Sequence, residues 1–153
     1  MSSEIGDLSK SYLIRELMTL NLPVDDYAIF CSAPLAAHGL IDFSEVSDLD
    51  LIARGKAWEE AKRLSKVAHI QTDLKFGEVL GFFKKNDEFD ISVYTGWPHG
   101  IWDVNELIDT ADVVDGIRFV KLENVLKWKK ARNRPKDAGQ IAILEKHLGV
   151  TGV

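Results

Sequence analysis

Apolar residues along this chain recur at two periods, and the changes between them mark out its elements. Leu13, Ile14, Leu17 and Met18 are at helical spacing, which predicts an amphipathic helix over Leu8 to Leu20, ended by Asn21-Leu22-Pro23. YAIFC, Tyr27 to Cys31, is a short apolar strand. SAPLAAHG follows, with Ser32 as N-cap, Pro34 in the first turn and Gly39 at the C-terminal cap, which predicts a helix of about two turns. After a loop over Leu40 to Ser47, Asp48 to Ala53 reads as a second strand. Lys56 to Ala68 is a helix with Trp58, Ala61 and Leu64 inward. Val79 to Phe83 and Glu88 to Tyr94 form a hairpin closed by KKND.

TGWPHG is a loop. Asp103 and Glu106 have the spacing of a capping box and open another helix. Val113 and Ile117 to Val120 are short strands. Leu122 to Ala131 and Pro135 to Leu148 are helices, the second with Ile141, Leu144 and Leu148 on one face. The pattern predicts one domain of α/β (α+β) class, a small mixed sheet flanked by helices, over residues 1–153.

Composition changes little in that picture. The chain has 153 residues, 46% hydrophobic and 28% charged, enough for one core. No apolar run reaches the roughly 20 residues of a membrane span. MSSEIGDLSK lacks the basic start and apolar centre of a signal peptide, and Cys31 is the single cysteine, so a cytoplasmic protein without a membrane partner is expected. A net charge of −5 argues against a general nucleic-acid coat protein.

The distribution of charge changes more. Asn86 to Asp115 holds eight acids and no Lys or Arg, whereas Ile117 to Lys136 holds eight bases and one acid, Glu123. Such segregation fits solvated faces, and it fits a cation-binding wall set against an anion-binding one.

Ahead of that acidic segment, SDLDLIA opens a strand with Asp48 and Asp50. Alternation points both the same way and sends Leu49 and Leu51 into the core, so the acids are expected on a face the core does not use. In EFDISVY, Phe89, Ile91 and Val93 form one face, and Asp90 lies on the other, able to join the pair from a neighbouring strand. Two carboxylates so close repel, and one tends to keep its proton. Mg²⁺ resolves that repulsion, because it takes carboxylate oxygens and leaves positions for phosphate. Three converging carboxylates suit a phosphoryl-transfer metal site, and one of them can serve as base for an attacking hydroxyl.

Ahead of the acids, the N-terminus of the serine helix directs backbone N–H groups at an anion, with the Ser32 hydroxyl beside them. Behind them, Lys129, Arg132, Arg134 and Lys136 cluster around a turn where Pro135 starts a helix. Arg134 and Lys136 are the expected phosphate contacts. Trp97, Pro98 and His99 read as a packed loop or as the lining of a base pocket, and His38 as structural.

In order and spacing these residues resemble the DNA-polymerase-β-like nucleotidyltransferase superfamily, and within it the small stand-alone minimal and AbiEii-like group. The resemblance runs from about Tyr27 to Leu144, ending on Arg134, Pro135, Lys136 and Asp137 at the start of the last helix. It implies a nucleotidyltransferase fold and Mg²⁺ held by Asp48, Asp50 and Asp90. It also implies an NTP (ATP or GTP) held by Ser32, Lys129, Arg134 and Lys136. The nucleotidyl acceptor would be a protein hydroxyl, a small molecule or an RNA end, and a partner protein or a homodimer is the expected assembly. The family's glycine is replaced by Cys31, read here as a buried small hydrophobe. That departure favours a rival on the same fold, a non-catalytic binding protein such as a toxin–antitoxin component or nucleotide sensor.

Overall fold

The computed structural model describes residues 11–65, 71–74, 77–85 and 88–149. It contains six α-helices and seven strands among the described residues. The helices are α1 (Tyr12–Leu20), α2 (Ala33–Ala37), α3 (Gly55–Leu64), α4 (Val104–Asp109), α5 (Leu122–Arg132) and α6 (Ala138–Leu148). The strands are β1 (Tyr27–Phe30), β2 (Leu49–Ala53), β3 (Gln71–Leu74), β4 (Gly77–Lys85), β5 (Glu88–Tyr94), β6 (Asp112–Val114) and β7 (Ile117–Phe119). One mixed sheet runs in the order β3-β4-β5-β2-β1-β7-β6. The expected α/β class therefore holds, and no described helix is long and apolar enough to cross a membrane.

The ends of the helices follow local chemistry. Ser11 caps α1 through Ile14 N–H, and Asn21 ends it in the left-handed conformation. Asp103 caps α4 by accepting from Glu106 N–H at 3.3 Å, as the Asp-x-x-Glu spacing predicts. Three expectations need correction. The serine helix is only five residues long, and Ser32 stands at its N-cap position without capping it. The last helix begins as a 3-10 turn over Pro135–Asp137, closed by Ala138 N–H donating to the Pro135 carbonyl, with the Asp137 side chain in ion pairs. Strand β3 was not foreseen. The far ends of the expected first and third helices, and Asn86 and Asp87 of the hairpin turn, lie outside the described residues.

A further correction concerns the sheet's second face. Helices cover both faces. Leu13, Ile14 and Leu17 of α1 and Ala57, Trp58 and Ala61 of α3 pack on Ile29, Leu49, Leu51, Ile91 and Val93. On the opposite face Leu107 and Ile108 of α4, Val125 and Trp128 of α5 and Leu144 of α6 pack on Ala28, Phe30 and Ile52. Central strands buried on both sides read as continuous apolar runs, which is why YAIF carries no polar residue. The face that carries the acids is thus a core face, and they occupy its rim.

Candidate active site

The rim is built by register. Strand β2 runs antiparallel to β1, with Asp50 opposite Phe30, and parallel to β5, with Leu49 beside Ile91 and Asp50 beside Ser92. One step back along the same register places Asp48 beside Asp90. Residues paired across a sheet share a face, so Asp48, Asp50, Asp90, Ser92 and Tyr94 lie together. Farther along that face Ile52 enters the second core layer. The acids begin where that layer ends: Asp48 is exposed, Asp50 half-buried and Asp90 buried.

Their electrostatics follow from this placement. Loss of water and the charge of Asp48 raise the Asp50 carboxyl to about 6, although hydrogen bonds from Cys31 and Tyr94 and the charge of Arg132 oppose the rise. Partial burial and the charges of Glu88 and Asp90 raise Asp48, while Lys136 pulls it down. These are the marks of acids held together against their repulsion. Among the described residues, no three His, Cys, Asp or Glu side chains converge as they stand on one metal-sized point. Mg²⁺ does not require such a cage, since it is commonly bound by one or two carboxylates, waters and substrate phosphate. The all-oxygen donor set at Asp48 and Asp50 fits that pattern.

Cys31 departs from its sequence reading. It is half-buried at the end of β1, and its Sγ donates a hydrogen bond to Oδ2 of Asp50 at 3.2 Å. Its backbone is left-handed at φ 68°. Glycine takes that conformation without strain, whereas a side chain costs roughly 1–2 kcal/mol there. Burial and the neighbouring Asp50 charge keep the thiol protonated, well above its ordinary range.

Among the described non-glycine residues with positive φ, Asn21 and Asn133 are helix C-caps and Asp115 shares a hairpin turn with Gly116. His99 lies in the loop before Gly100. Cys31 stands in the turn from β1 into α2, whereas Phe83, inside β4, has no such local reason. Phe83 lies between the pairs Phe82–Ile91 and Lys84–Phe89, opposite Asp90. Cys31 and Phe83 thus flank the acids, beside Asp50 and Asp90, and strain of this kind gathers at functional sites.

The remaining expected residues are distributed as follows. Ser32 Oγ donates to Oε1 of Gln140 at 3.0 Å and so ties the start of α2 to α6. Lys129 is buried at 1% exposure with its ammonium on Asp137 Oδ1 at 3.3 Å. Arg132 and Arg134 also bond to Asp137. Burial alone would raise the Asp137 carboxyl, but hydrogen bonds from Arg134 and the charges of Lys129 and Arg132 outweigh it and hold it down at about 2. Lys136 is exposed near Asp48. The structure thus brings Asp48, Asp50 and Asp90 together, with Lys136 beside them and Ser32 one residue beyond Cys31. It commits Lys129 to an internal ion pair.

Trp97 is buried and belongs to the second core layer. Its ring stacks on Phe30 at 4.6 Å between centroids and meets Trp128 at 5.2 Å and Tyr94 at 5.2 Å. His38 lies 3.3 Å from Asp112, a structural pairing. A shallow cleft lined by Pro23, Lys56, Glu59 and Arg63 lies where α3 begins, at the opposite end of β2 from the acids. Sequence reasoning missed the Cys31–Asp50 contact and the use of Asp137 as an anchor. The one signal for the latter was an aspartate set among four bases. Comparison of the chain with protein families, with curated proteins and with solved structures gave no match.

Proposed function

We propose that this chain is a Mg²⁺-dependent nucleotidyltransferase of the DNA-polymerase-β type, moving a nucleotidyl group from an NTP to a hydroxyl acceptor. One observation carries the reading. The parallel β2–β5 register sets Asp48, Asp50 and Asp90 on one rim of the sheet, with the Asp50 carboxyl raised to about 6 by burial and by Asp48. Asp48 and Asp50 would hold Mg²⁺, which when bound neutralises the triphosphate and polarises its α-phosphate. Asp90 would orient the acceptor hydroxyl and take its proton as the new P–O bond forms and pyrophosphate leaves. Lys136 and Arg134 would hold the departing phosphates, with Ser32 and the buried charge of Lys129 behind them.

Labelled ATP or GTP, Mg²⁺ and candidate acceptors should yield a labelled product that is absent with Asp48→Asn. Equal turnover by wild type and Asp48→Asn would show the site to be misassigned.

One observation favours a second reading. The Cys31 thiol lies on an Asp50 oxygen that a metal would use. A non-catalytic nucleotidyltransferase-fold protein, acting as a nucleotide sensor or toxin–antitoxin component, would bind MgATP or MgGTP without turnover. Calorimetry together with the labelling assay separates the two.

A further inference from the structure

Arg132 is the last residue of α5, and its side chain is 14% exposed. Its Nε and Nη2 both donate to Oδ2 of Asp137, at 3.1 and 2.9 Å. Its guanidinium carbon lies 3.8 Å from the centroid of the Trp128 ring. Trp128 is itself fixed, buried against Phe30 at 5.4 Å and Trp97 at 5.2 Å between centroids. Phe30 pairs with Asp50 across β1 and β2. A rigid aromatic stack therefore carries Arg132 to the flank of the acid pair. Among the described residues its Nη1 has no hydrogen-bond partner.

Asp137 makes this placement sharp. One carboxylate serves Lys129, Arg132 and Arg134, so the cluster by itself carries a net charge of +2, which also acts on Asp50. A guanidinium locked on two sides has already lost the freedom that gripping a phosphate would otherwise remove.

We propose that Arg132 grips a phosphate of the ligand bound at the acid rim, and that Asp137 is its positioning residue. The identity of that ligand rests on the nucleotidyltransferase reading, while the anion site needs only a polyphosphate. The ammonium of Lys129 supplies charge from behind, and Arg132 makes the contact.

Two substitutions separate positioning from plain electrostatics. Arg132→Lys keeps the charge and loses the fork that bonds Asp137 and sits over the Trp128 ring. Asp137→Asn makes the cluster more positive, so electrostatics alone would tighten anion binding, whereas a lost anchor weakens it. Calorimetry with MgATP and with inorganic tripolyphosphate, on protein shown to be folded by its melting curve, should give at least tenfold weaker binding in both variants. Asp137→Glu should recover part of the loss, and Lys130→Gln should change it less than twofold. Wild-type affinity in Arg132→Lys, or equal or tighter binding in Asp137→Asn, overturns the proposal. Arg132-dependent tripolyphosphate binding without ATP binding would sink the nucleotide reading and leave this anion site standing. No binding of either probe by wild type overturns both.

Discussion

The Cys31 thiol donates to Oδ2 of Asp50 across 3.2 Å from a residue whose backbone is held at φ 68°. The contact blocks one oxygen of the site's most perturbed acid, and the backbone conformation is one that glycine adopts freely. Cys31→Gly should therefore release strain of about 1 kcal/mol, offset in part by the added freedom of the unfolded chain and the lost thiol packing. Net stability should stay within about 1 kcal/mol of wild type. Mg²⁺-dependent nucleotide binding should tighten severalfold in calorimetry, whereas Cys31→Ser, which keeps a donor, should not change it. Weaker binding in the glycine variant would mean that the thiol belongs to the binding set.

Asp50→Asn should raise stability at neutral pH. The folded carboxyl titrates near 6 and the unfolded one near 3.8. With the folded value raised, the native state binds the proton more tightly, so stability falls as pH rises from about 4 to 6. Two units correspond to roughly 3 kcal/mol, of which we expect about 2 to appear because the amide keeps only part of the hydrogen bonding. Thermal melts should show the variant ahead of wild type at pH 7, with the gap closing toward pH 4. A variant less stable than wild type at pH 7 would show that the carboxylate is held by favourable contacts and carries no net strain.

Asp137 should behave in the opposite way. Its folded pKa of about 2 lies below the unfolded value, so its contribution is complete above about pH 4 and is lost as pH falls toward 2. Asp137→Ala strands the buried Lys129 ammonium and should cost about 3–5 kcal/mol in denaturant unfolding at pH 7. That penalty should shrink below pH 4. A loss under 1 kcal/mol would mean that Lys129 finds another partner or releases its proton.

The outline of the fold was legible because its cause is local. YAIF, LDLIA and EFDISVY announce strands through their apolar periodicity, and Asp103 announces a cap. The convergence of Asp48, Asp50 and Asp90 on one face was legible for a related reason, since alternation fixes a face once two strands are neighbours. What could not be read is what depends on contacts distant in sequence. Asp137 looks like a helix-starting acid until α5 folds back and brings Lys129 and Arg132 against it. Cys31 looks like the last residue of an apolar strand. Only the turn into α2, and β2 alongside, make it a left-handed residue facing Asp50. The second core layer on the acid face was likewise hidden, because it is assembled from α4, α5 and α6 together, across contacts distant in sequence.

A metal at the acid rim would bind the folded chain and compete with protons, and both effects can be measured without turnover. A ligand at one hundred times its dissociation constant stabilises its folded partner by about 2.7 kcal/mol. Mg²⁺ at that excess should therefore raise the melting temperature of wild type by several degrees at pH 7.5. Asp50 holds its proton up to about pH 6, so the same Mg²⁺ should have much less effect at pH 5. The Asp48→Asn variant should lose the metal-dependent rise at both pH values, and Asp90→Asn should show a reduced one. A rise in wild type that is independent of pH, or one that survives in Asp48→Asn, would place the cation elsewhere on the protein. A rise at pH 7.5 in wild type alone would tie metal affinity to the ionised Asp48–Asp50 pair.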